Sequence, residues 1–195
     1  MMQGVAAAIL AGGKATRMGG APKSFLVVDG QRIIDRQLAV LAPLFAEILV
    51  GANDLARYAE LGLPVIPDAV RDQGPLAGIL AVIEAAAAQR VIVVACDMPF
   101  VSAEALAMLA DPAIDADVVV PVVDGRPEPL FARYSRGCAA AIRARLESGD
   151  RKVCSFYDDV RVHEVDEPTL RAIDPALRFL ANCNTPLDLQ SAGTP

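Results

Sequence analysis

Leu10-Ala11-Gly12-Gly13-Lys14-Ala15-Thr16-Arg17-Met18-Gly19, with Lys23 four residues on, directly follows the apolar run Val5 to Leu10. A short apolar strand that opens into paired glycines predicts the first β-to-loop transition of an α/β domain. Adjacent glycines let a ligand approach the main-chain N–H groups closely. Arg17 and Lys23 add two cations to those donors, and polyphosphate is the ligand such a loop suits, because it accepts several hydrogen bonds and needs its charge neutralised. Two common nucleotide motifs do not fit: Pro22 rather than Gly precedes Lys23, so there is no Walker A loop, and the G-x-G-x-x-G spacing is absent.

Working outward, apolar runs alternate with helical patterns through the first half, which predicts βαβ units and a mostly parallel sheet. Ile34, Leu38, Leu41 and Phe45 predict a helix over 31–44, followed by a strand over 47–50. Asp54 can cap a short helix, and Val65-Ile66 is a brief strand. A helix is expected from Gly74-Pro75 to about Gln89, then a strongly apolar strand over 91–95 that ends at Asp97. Ser102 starts another helix. Strands over 118–123 and 130–134 flank the Asp124-Gly125 turn, a β-excursion carrying Arg126 to Pro129. Helix is then expected over 135–146 and 151–157, and a strand over 160–165.

The 195 residues favour one domain with a sizeable core, since chains of this size bury roughly 70% of their unfolded surface. No apolar run approaches the ~20 residues of a membrane span, and no basic residue precedes Val5, so a soluble cytoplasmic protein is expected. A net charge of −6 argues against a nucleic-acid binder. Cys96, Cys138, Cys154 and Cys183 are far apart and read as free thiols. His163, the single histidine, falls in an alternating strand and faces solvent, which disfavours a hydrolase triad.

LAGG-x-x-x-R-M-G-x-x-x-K resembles the N-terminal motif of nucleotidyltransferases with a glycosyltransferase-A-like α/β fold, and it is most similar to the molybdenum cofactor guanylyltransferases. The resemblance continues through Gly74-Pro75-Leu76-Ala77-Gly78, Cys96-Asp97-Met98-Pro99, Arg126-Pro127-Glu128-Pro129-Leu130 and Asn182-Cys183-Asn184-Thr185-Pro186. It implies a single three-layer α/β domain, nucleotide-diphospho-sugar transferase-like, with a Rossmann-like central sheet. Residues 1–100 would form the nucleotide half and 101–190 the acceptor half.

It further implies GTP as substrate, Mg²⁺ as cofactor, and molybdopterin or its metal-bearing form as acceptor. Enzymes that donate or accept the cofactor would be partners. Gly12, Gly13, Arg17 and Lys23 would hold the triphosphate. Asp97, at a strand end, would be the oxygen ligand of Mg²⁺. Leu10, Ala11, Gly51, Asn53, Asp68 and Gly78 would meet base and ribose, a carboxylate such as Asp68 being able to accept from guanine N–H groups. Family members often carry Asn at the position of Gly51 as well as of Asn53, so side-chain contacts from this loop fall here on Asn53. Arg126, Asn182 and Asn184 would face the phosphorylated pterin, with Arg151 and Lys152 as weaker candidates. A CTP-dependent transferase and a nucleotide-binding regulator without turnover remain as alternatives.

Overall fold

The computed structural model describes residues 1–11, 23–68, 70 and 73–183. Ten strands are present among them: β1 (Val5–Leu10), β2 (Val27–Val28), β3 (Gln31–Arg32), β4 (Ile48–Gly51), β5 (Val65–Ile66), β6 (Arg90–Ala95), β7 (Val118–Val123), β8 (Arg126–Pro127), β9 (Phe131–Ser135) and β10 (Val162–Val165). The helices are α1 (Ile33–Leu41), α2 (Leu55–Tyr58), α3 (Pro75–Ala85), α4 (Ala103–Leu109), α5 (Ala139–Glu147) and α6 (Glu167–Ile173).

The main sheet runs β10-β7-β9-β6-β1-β4-β5, with β8 hairpinned onto β7. β1 pairs in parallel with β4 and β6, and β4 with β5, while β9 lies antiparallel to both β6 and β7. β10 runs parallel to β7. Alternation along β1 explains the layers. Val5, Ala7 and Ile9 join a core with Ile34 and Leu41 of α1, Leu106 of α4 and Leu170 of α6. Ala6, Ala8 and Leu10 join the opposite core with Leu76 and Ile79 of α3 and Ile142 of α5. A β-strand sends successive side chains to opposite faces, so one six-residue strand buried along its whole length fixes three layers.

Several boundaries differ from the pattern-based expectation. The helix expected over 31–44 is shorter, because Gln31 and Arg32 pair with Val28 and Val27 across Asp29-Gly30, whose φ angles are 49° and 79°. An Asp-Gly pair with both φ angles positive is a hairpin turn. Its interior face also differs: Gln37 is buried with Ile33, Ile34 and Leu41, while Leu38 is only partly covered. α3 ends at Ala85, where Ala86 turns extended and Glu47 accepts hydrogen bonds from the amides of Ala87 and Ala88. Ser135 belongs to β9, its amide donating to Asp117 O, so α5 begins at Ala139 after a 3₁₀ turn. The segment 151–157 forms turns rather than a helix. α6 was not anticipated; Asp166 caps it by accepting from the Thr169 amide, with Pro168 in its first turn.

Arg133 of β9 is fully buried and braces the loop before β7, donating to the carbonyls of Asp111, Ile114 and Ala116. Among the described residues, no helix is long and apolar enough to cross a membrane.

Candidate active site

The carboxyl ends of β1, β4, β5 and β6 share one edge of the sheet, where ligands of open α/β folds bind. Backbone bonds hold that edge together: Ala11 N donates to Gly51 O, Ala52 N to Ile66 O, and Cys96 N to Leu10 O.

Lys23 lies in a 3₁₀ turn, Lys23–Phe25, and its Nζ is 3.1 Å from Oδ2 of Asp97, 74 residues away. Its neighbour Ser24 is fully buried, with Oγ 2.9 Å from the Tyr58 hydroxyl. Burial raises the Tyr58 pKa, so that hydroxyl stays neutral, and Phe25 packs 5.4 Å from its ring. Lys23 therefore stands on a turn pinned to α2.

Asp97 follows β6 on an equally fixed turn. Gln37 of α1, 1% exposed, donates from Nε2 to Ala95 O at 2.7 Å and to Met98 O at 2.8 Å. The amide of Cys183 donates to Asp97 O at 2.7 Å, and Met98 N to Ala95 O. The Asp97 side chain keeps 15% of its surface exposed, and its Oδ1 takes no hydrogen bond among the described residues. The neighbouring Cys96 thiol is pushed up to about 12, chiefly by burial and then by the Asp97 charge, and is inert at neutral pH.

Of the expected base-side residues, four meet around α3. Gly51 and Gly78 leave room for neighbours that a side chain would displace. A Cβ on Gly51 would come 2.6 Å from Leu10 Cδ2, and one on Gly78 would come 3.1 Å from Asp68 Oδ1. Asn53 pairs with Asp68, donating to Oδ2 at 2.6 Å and accepting from the Asp68 amide at 3.0 Å. Asn53 thus positions Asp68. Gly74 caps α3 with φ of 75°, and Pro75 occupies the first turn.

On the other side, Asn182 is exposed beside Cys183 and so adjoins the Asp97 turn. Arg126 is exposed on the β7–β8 hairpin, and Arg151 and Lys152 are exposed on the turn after α5. Gly12, Gly13, Arg17 and Asn184 lie outside the described residues. Gln37, Ser24 and Tyr58 were missed by motif reasoning, although Gln37 sits at helical spacing between Ile33 and Leu41 and could have been found there.

Among the described residues no cluster of three or more potential metal ligands occurs. A single strand-end carboxylate such as Asp97 nonetheless suits Mg²⁺, which is commonly bound by one or two carboxylates together with substrate phosphates.

A mostly parallel α/β sheet whose carboxyl edge brings Lys23 to the strand-terminal Asp97 fits the nucleotidyltransferase class. The chain belongs to the MobA-like NTP transferase domain family, which matches residues 7–164. It is 41% identical over 184 residues to a probable molybdenum cofactor guanylyltransferase of Pelotomaculum thermopropionicum, covering 94% of this chain and 89% of the relative. A second protein of that description, from Carboxydothermus hydrogenoformans, is 36% identical, with 97% and 95% covered. The crystal structure of molybdopterin-guanine dinucleotide biosynthesis protein A from Archaeoglobus fulgidus superposes with a TM-score of 0.82 at 28% identity, covering 96% of each chain. A Thermus thermophilus cytidylyltransferase, 20% identical with a TM-score of 0.66 and 95% of each chain covered, shares the fold.

Proposed function

We propose that this nucleotidyltransferase moves GMP from Mg-GTP to the terminal phosphate of molybdopterin or the molybdenum cofactor, forming the guanine dinucleotide and releasing pyrophosphate. The meeting of Lys23 with Asp97 at the edge where the Gly-rich turn leaves β1 carries the reading, and the names of the relatives supply the substrates. Residues 1–100 serve the nucleotide and 101–190 the acceptor.

Lys23 neutralises charge that develops around the α-phosphorus, together with Arg17 and the amides of Gly12 and Gly13. Asp97 would hold Mg²⁺ through its carboxylate, and the ion would supply charge neutralisation for the transferred phosphoryl group. The ammonium and the acid, 3.1 Å apart, stand at one point of the sheet edge, where both would act on the phosphates. Asp68, held by Asn53 and facing Gly78, accepts from guanine, whose 2-amino group and N1–H lie side by side. Arg126, Asn182 and Asn184 receive the acceptor. The acceptor phosphate, already ionised near neutral pH, attacks without a general base.

Pyrophosphate release from GTP, CTP and ATP with the molybdopterin acceptor tests this. GTP-selective release is expected, reduced at least about 100-fold in both Asp97→Ala and Lys23→Ala, the scale of removing one transition-state charge partner. Selectivity for CTP, or retained release in either variant, would refute it.

A further inference from the structure

Glu128 stands out among the acids. The segment carrying it is pinned at four points: Glu128 N donates to Pro121 O, Phe131 N to Glu128 O, the Tyr134 hydroxyl to Pro129 O, and Ala95 N to Leu130 O. The last bond ties it to the end of β6, one residue before Cys96 and Asp97. Its side chain is half-buried and makes no hydrogen bond or ion pair among the described residues. Across from it lies the turn after α5, where Glu128 and Lys152 both act electrostatically on the Cys154 thiol. On that turn the Ser155 hydroxyl is buried without a partner. A segment pinned by four hydrogen bonds therefore holds a half-buried carboxylate with no hydrogen-bond partner among the described residues at the sheet edge, facing a turn whose Ser155 hydroxyl is buried without one.

We propose that Glu128 recognises the 2-amino-oxo-pyrimidine edge of the pterin, accepting from its ring N–H and exocyclic amine. This rests on the transferase reading above. The same edge occurs on guanine, but position separates the two rings. Asp68 follows β5 and Glu128 precedes β9; between those strands lie β4, β1 and β6, which sets them four strand spacings, about 19 Å, apart. One fused ring cannot span that distance. Asp97, paired with Lys23, follows β6 between them, so the sheet edge presents acid, the Lys23–Asp97 pair proposed for the phosphates, acid in a row. The dinucleotide product has the matching order of guanine, phosphates, pterin. Burial raises the Glu128 carboxyl above the usual range, a desolvation cost that donors on a ligand offset.

The experiment uses the full chain and Glu128→Gln, which keeps shape and removes the charge. Free pterin without a phosphate is titrated by its own fluorescence, and KM is measured for GTP, for ITP, which lacks the 2-amino group, and for the acceptor. The variant should bind free pterin roughly 10- to 100-fold more weakly and raise the acceptor KM alike, the range for losing a hydrogen bond to a charged group. Its KM values for GTP and ITP should hold, and its Tm should match or exceed that of the parent. Weakened pterin binding in a protein that transfers no nucleotide would support the site while sinking the transferase reading. Unchanged pterin binding would overturn the proposal. So would absence of pterin binding in the parent, or a lost preference for GTP over ITP, which would assign Glu128 to guanine.

Discussion

Replacing Gln37 tests whether the Asp97 turn is held from beneath by a single buried amide. Both its partners are carbonyls, so only the NH₂ end can serve them, which fixes the orientation of the group. In Gln37→Leu, Met98 O loses the one hydrogen bond it accepts among the described residues, costing about 1–3 kcal/mol for an orphaned buried acceptor. Ala95 O keeps the Met98 amide, so its loss is smaller, about 0.5–1.5 kcal/mol. The leucine also removes Gln37 Oε1, which is buried without a partner, and recovers part of that cost. The net expectation is about 1–3 kcal/mol, or roughly 2–10 °C in Tm for a chain of this size. Gln37→Glu has the same shape and no such donor pair. It sets an acid against two carbonyls at a 1%-exposed position and should be worse than leucine. Thermal unfolding followed by circular dichroism, with kcat and KM on each variant, reads both effects. Since the clamp shapes the Asp97 turn, kcat should fall more than the GTP KM rises. A Gln37→Glu protein as stable and active as its parent would refute the argument.

Gly78→Ala should push the Asp68 carboxylate from its place and raise the GTP KM several-fold, while Gly51→Ala, whose Cβ meets the movable end of Leu10, should be milder; nucleotide titrations distinguish them. Asp117 is held below the usual carboxylate range mainly by the Arg161 guanidinium, with further bonds from the Arg161 amide and Ser135. A depressed pKa gives stability that is present above the unfolded value and lost as pH falls through the folded one. The Tm gap between the parent and Asp117→Asn should therefore be widest at neutral pH and close as pH falls through the lowered folded-state value, as melts from neutral pH into acid would show. Burial raises the pKa of Cys96 and Cys138, to about 12 and about 11, so iodoacetamide at pH 8 should leave both unmodified in the folded protein, and mass spectrometry should find them labelled only after unfolding.

What the sequence shows of this molecule depends on how far apart the interacting groups are. β1, β6 and the acid that ends β6 were legible because an apolar run and its terminus are local, and a parallel sheet brings such termini to one edge whatever the connections. That rule brings Asp97 to the edge, whereas its contact with Lys23, 74 residues away, depends on a turn held by the Ser24–Tyr58 hydrogen bond and was not legible. Boundaries failed where a local signal was weaker than a distant one. Ser135 fits a helix pattern, but the Asp117 carbonyl and carboxylate both claim it for the sheet. The pairing of Asn53 with Asp68 needs the register of β4 on β5, which no composition reveals. Polar groups inside apolar patterns are the intermediate case. Gln37 in the stripe of α1 and Arg133 between Phe131 and Tyr134 break their local rules, and each is buried because several carbonyls await it from another element. Glu128 breaks its rule too, yet no protein donor meets its side chain among the described residues. Gln37 and Arg133 each meet several carbonyls through their N–H groups, whereas the half-buried Glu128 side chain meets no protein donor among the described residues, and the pterin is the ligand proposed for that place.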